Sequence, residues 1–183
     1  MSHKQGRRKL IKGASAAIVA GLAGCTGGGG GGSDGDSPID QVQDSDDDGV
    51  PDSEDDYPND PDRSEQLRSI SDTRNLEEDQ WRHIPLEFSQ TGYIEYDFIV
   101  RDGPAIDVIL LDESEYQYFD EGERSEYYPE LSATDSTGDD VQGEIPSGTY
   151  RLILDNSNRG EATPPTNFSN DVVSVEYSIE TSQ

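Results

Sequence analysis

From about Leu76 onward, apolar and polar residues alternate one by one. Ile84, Leu86 and Phe88 are separated by Pro85 and Glu87, and Ile94, Tyr96, Phe98 and Val100 by Glu95, Asp97 and Ile99. Ile106, Val108 and Leu110 form a third set, Val141 and Ile145 a weaker one, and Tyr150, Leu152 and Leu154 another. The chain closes on Val173, Val175, Tyr177 and Ile179. A period of two is the mark of strands with one buried and one wet face. Turn chemistry separates the runs at Asp102-Gly103-Pro104, Ser136-Thr137-Gly138, Pro146-Ser147-Gly148 and Asp155-Asn156-Ser157. The pattern predicts an all-β domain over residues 76–183, an antiparallel β-sandwich of about seven or eight strands. One interruption is expected: a short helix at Glu113–Glu121, with Tyr116 and Phe119 on one face.

Upstream the pattern disappears. Residues 63–75 read as a connector, and residues 44–62 as an acidic block broken by Gly49, Pro51, Pro58 and Pro61. Residues 25–43 are a tether with six consecutive glycines, Gly27 to Gly32. Such a segment behaves as a flexible coil with a reach of roughly 25 Å. The glycine run satisfies a G-x-G-x-x-G spacing, but neither strand precedes it nor helix follows, which excludes a dinucleotide site.

Residues 1–24 have the anatomy of an export signal: Arg7-Arg8-Lys9-Leu10-Ile11-Lys12, an uncharged run from Gly13 to Gly24, then Leu22-Ala23-Gly24-Cys25. The tetrapeptide resembles the lipobox of prokaryotic lipoproteins, and the adjacent Arg7 and Arg8 resemble a twin-arginine signal. The resemblance implies cleavage before Cys25, lipid on its thiol, and a place at the extracytoplasmic face of the cell membrane. Twelve residues make a helix of roughly 18 Å, too short for a ~30 Å hydrocarbon core, so a permanent span is not expected.

Charge sharpens this picture. Five of the 13 lysines and arginines precede Cys25, leaving eight arginines, no lysine, all 40 carboxylates and a formal charge of −32. Such self-repulsion is tolerable where molar salt cuts the Debye length to about 3 Å. The acid excess without lysine resembles proteins of salt-loving archaea. No basic run follows Cys25, so nucleic acid is not an expected partner. With its single cysteine committed to lipid, the chain has no disulfide to stiffen it.

A bound cation is the expected substitute. Residues 44–55 read Asp-Ser-Asp-Asp-Asp-Gly-Val-Pro-Asp-Ser-Glu-Asp. Counting Asp44 as position one, carboxylates recur at Asp46, Asp48, Asp52 and Asp55, Gly49 falls at six and the Val50 carbonyl at seven. Ca²⁺ takes six to eight oxygens, and this spacing wraps a loop around one ion. Pro51, Pro58 and Pro61 forbid the second helix of an EF-hand. The continuation to Asp60-Pro61 instead resembles a thrombospondin type 3 repeat, which implies structural calcium. In that family a cysteine usually stands where this chain has Tyr57.

Within the sandwich, residues 145–156 (IPSGTYRLILDN) resemble the late strand of GOLD-like and pre-peptidase C-terminal-type domains, which implies an accessory or binding role. No lysine, G-x-S-x-G elbow or H-E-x-x-H motif offers a catalytic centre. His83 reads as a packing residue, and Tyr116, Tyr118, Phe119, Tyr127 and Tyr128 as a cap on the open end of the sandwich. Asn167-Phe168-Ser169 is an N-glycosylation acceptor. The expected function is that of a membrane-anchored surface module binding an unknown protein or glycan. Alternatives are a substrate-binding module serving a secreted enzyme or transporter and, third, a hydrolase.

Overall fold

The computed structural model describes residues 43–164 and 170–183. Arg7, Arg8, Cys25 and Asn167 lie outside the described residues. Eight strands and one helix follow in chain order: β1 (Gln66–Leu76), β2 (Gln80–Phe88), β3 (Gly92–Asp102), β4 (Ile106–Asp112), α1 (Glu113–Glu121), β5 (Ala133–Ser136), β6 (Gly138–Ile145), β7 (Gly148–Asn156) and β8 (Val173–Ser182). They form two antiparallel four-stranded sheets, ordered β1-β8-β3-β6 and β2-β7-β4-β5. The protein is an all-β sandwich.

The alternation reads directly into the packing. Ile94, Tyr96 and Phe98 from β3 meet Leu152 and Leu154 from β7 and Val175 and Tyr177 from β8 in the inter-sheet core. Tyr96 also gives its hydroxyl a partner, donating to the Leu131 carbonyl at 3.1 Å. That satisfies the one polar atom its burial would otherwise strand.

Strand β4 departs from alternation, with every residue from Ile106 to Leu111 buried. The cause is α1, which covers the outer face of its sheet and makes a second core of Ile109, Leu111, Phe119 and Ile153. The helix starts where the Asp112 carboxylate accepts from the backbone amides of Ser114 and Glu115, both at 2.9 Å. It stops at Gly122, whose φ of 75° is left-handed. Tyr116 and Tyr127 therefore pack on this outer layer, and only Tyr128 lies against the inter-sheet core. His83 Nδ1 is 2.8 Å from the Tyr116 hydroxyl, on the same outer face.

Residues 66–75 of the stretch read as connector, 63–75, instead form β1 together with Leu76, paired with β8 from Gln66 to Leu76. Its sequence, QLRSISDTRNL, hides the strand because an edge position buries only part of Leu67 and Ile70. Strand β5, four residues long, is the other strand that alternation does not reveal.

Candidate functional site

The acidic segment is a chain of short turns, each closed by a carboxylate. Asp44 accepts from the amides of Asp47 (2.9 Å) and Gly49 (3.1 Å), Asp46 from Asp48 (3.3 Å), and Asp48 from Val50 (2.7 Å). An aspartate side chain reaches an amide two or three residues on without strain, so this spacing curls the backbone around its own acids. Gly49 sits at φ 95°, and a Cβ there would meet nothing within 4 Å. Glycine is required there for conformation, with space to spare.

These turns bring Asp44, Asp46 and Asp48 together, each offering an oxygen within 4.8 Å of the others. Asp46 Oδ2 is buried without a hydrogen-bond partner, and so is Oδ2 of the nine-tenths buried Asp55, whose Oδ1 accepts from the Tyr57 amide at 2.6 Å. The Asp46 carboxyl titrates above its usual range, through desolvation first, with the Asp48 and Asp55 charges adding to it. Asp52 points elsewhere: its two oxygens accept from the Ser45 amide (2.7 Å) and hydroxyl (2.8 Å). Its own amide bonds the Gln43 carbonyl at 2.8 Å, closing the loop at its base.

The segment is docked on the sandwich. Asp56 donates its amide to the Ser64 carbonyl (3.0 Å) and accepts from the Gln66 amide (2.9 Å) at the start of β1. Glu65 and Gln183 exchange backbone bonds at 2.8 and 2.9 Å, which carries the pairing past the end of β8. The Tyr57 hydroxyl donates to Glu180 on β8 at 2.7 Å. Arg63, ion-paired with Asp60 at 2.6 Å, lies over the rings of Tyr57 and Tyr93, 4.5 and 5.1 Å from their centroids. Tyr57, standing where the resembled repeat has cysteine, thus serves as a tertiary anchor. Pro51, Pro58 and Pro61 break any period in this segment, so its pattern carries no sign of the docking.

The interior holds one further carboxylate pair among the described residues. Asp107 on β4 and Asp155 on β7 are register partners, and both are fully buried. Asp107 accepts from the amides of Asp135 and Ala162, each at 2.8 Å, and so ties β5 and the segment after β7 to the sheet. Sealed from solvent, the pair has no room for a substrate between its members. No described helix is long and apolar enough to cross a membrane.

No family model and no curated protein matches the chain. Solved structures show weak likeness, two of them as follows. One is a carbohydrate-binding module of Cellvibrio mixtus lichenase 5A in complex with cellotriose, 11% identical, TM-score 0.32, covering 67% of this chain and 92% of that one. The other comes from Bacillus endospore appendages that form disulfide-linked pili, 9% identical, TM-score 0.31, covering 66% and 92%. Likeness this weak carries no functional inference.

Proposed function

We propose that the protein is a lipid-anchored, calcium-stiffened binding module at the extracytoplasmic face of the membrane, and that it is not an enzyme. The observation that carries the reading is the pair of buried, unpartnered carboxylate oxygens on Asp46 and Asp55, with Asp44 and Asp48 converging on Asp46 and the Asp55 charge acting on it. Buried anionic oxygens without donors are costly, and a hard cation is the partner they lack. Asp44, Asp46, Asp48, Asp55 and the Val50 carbonyl would hold it. Asp52, engaged by Ser45, braces the loop in this arrangement.

Calcium would supply charge neutralisation there and no chemistry. Its reach into the sandwich is short, because Asp56 and Tyr57 follow the last ligand directly and bond to β1 and β8. The non-enzymatic reading is supported by the missing nucleophile and zinc motifs and by the sealed Asp107–Asp155 pair.

Calorimetry in defined salt tests the site by comparing the parent with Asp46→Asn/Asp48→Asn. The parent is expected to bind Ca²⁺ with Kd of roughly 10⁻⁴–10⁻³ M, and the variant to show no saturable heat. Equal heats in the two proteins refute the assignment.

A further inference from the structure

β1 and β2 are the terminal strands of their sheets. Two hollows, of about 350 and 420 Å³, lie between residues of these strands and meet at Arg68 and Pro85, making one trough. Arg68, Arg74 and Arg82 line the first hollow, and Arg68 and Arg151 the second. The only carboxylates lining them are Asp72 and Glu87. The chain after Cys25 has 40 acids to eight arginines, so an average lining carries five acids per arginine. Here half of those arginines meet two acids, and the ratio is inverted.

The sign is the informative part. Charges at sheet edges prevent edge-to-edge pairing, and carboxylates would do this as well as arginines. Period two puts Arg68 and Arg74 on the face of β1 that includes the partly buried Ile70, and puts Arg82 on the face of β2 that includes the buried Ile84 and Leu86. Arginine thus stands where the pattern would otherwise run apolar. Three of the four have partners: Arg68 donates to the Pro85 carbonyl (2.6 Å), the half-exposed Arg74 pairs with Asp72 (2.6 Å), and Arg151 pairs with Glu113 (2.7 Å). Arg82 is exposed and makes no ion pair among the described residues.

We propose that this trough binds a carboxylate-bearing polysaccharide, of the polyuronate type, through Arg68, Arg74 and Arg82; the proposal rests on the binding-module reading. Planar guanidinium forks match carboxylates two bonds at a time. Arg68 to Arg74 spans six residues, about 20 Å of strand, which suits an extended polymer with recurring charges. A peptide strand is disfavoured on the β2 side, because Pro85 has no amide and its carbonyl is already taken by Arg68. Recognition is left to side chains, as a polyanionic glycan requires. In 1 M salt only contact pairs survive screening, so binding there reports the forks and not the long-range field.

The test is calorimetric titration of the full chain in detergent and 1 M NaCl with polygalacturonate, neutral dextran and poly-L-glutamate. Arg68→Gln/Arg82→Gln is compared with Arg101→Gln/Arg124→Gln, which removes equal charge away from the trough, and circular dichroism checks that both remain folded. The parent is expected to bind polygalacturonate only, about tenfold more weakly after Arg68→Gln/Arg82→Gln and within about twofold after the control change. No binding of polygalacturonate, equal loss in both variants, or equal binding of poly-L-glutamate overturns the proposal. Binding of dextran that ignores the arginines overturns the trough and leaves the binding-module reading standing.

Discussion

Asp155 offers the sharpest test of the interior. Its residue is fully buried, its Oδ1 accepts from the Ser157 amide at 3.0 Å, and its Oδ2 has no partner. Burial first, and then the facing Asp107 charge, push its carboxyl up to about 6, against the Ser157 hydrogen bonds and the Arg159 charge, which pull it down. The unfolded chain titrates near the ordinary value of about 3.9. A folded pKa above the unfolded one means that the folded state holds the proton more tightly. The contribution of Asp155 to stability is therefore full below about pH 4, falls as pH rises through 6, and levels off above that. Two pKa units at 1.36 kcal/mol each put the loss at about 3 kcal/mol, a large share of a margin of about 5–15. Asp155→Asn keeps the shape and removes the charge. It is expected to raise stability at pH 7.5 by about 2–3 kcal/mol, to change little at pH 4.5, and to flatten the profile between them. Thermal melts in molar NaCl across that range measure it. Asp107→Asn is the contrast: two amides already bond its carboxylate, so an amide there sets donor against donor and destabilises at every pH. A parent-like pH slope in Asp155→Asn would refute the reasoning.

Three further outcomes follow from the packing. Leu152→Ala removes a fully buried side chain from the inter-sheet core and is expected to cost about 2–5 kcal/mol by denaturant titration. Arg151→Ala, next to it on the outer face, loses the Glu113 pair that helps hold α1, for about 1 kcal/mol, with the change visible in Trp81 fluorescence because Trp81 packs on that layer. Tyr57→Phe deletes the hydroxyl bond to Glu180 and is expected to lower thermal stability by about 1 kcal/mol without altering the calcium stoichiometry. Cys25→Ser is expected to shift the protein from membranes to the medium or to leave it unprocessed; undiminished membrane retention on fractionation would defeat the lipid-anchor reading.

What the chain determined locally, it displayed openly. Six of the eight strands and the bounds of α1 follow from periods of two and from turn residues, because each records a choice between core and water made residue by residue. The loop acids are also legible, since the turns at Asp44, Asp46 and Asp48 close over separations of two to five residues. Other features needed the folded molecule. β1 carries almost no alternation and exists because β8 supplies its hydrogen bonds. β4 is buried on both faces because a helix that follows it folds back over the sheet. The docking of Tyr57 on Glu180 joins residues 123 apart, and the facing of Asp107 and Asp155 is set by strand register. Arg68, Arg74 and Arg82 are scattered in a strongly acidic sequence and become one surface only where the edges of two sheets meet. Alternation tells each residue which way to face, and only tertiary pairing decides what it will find there.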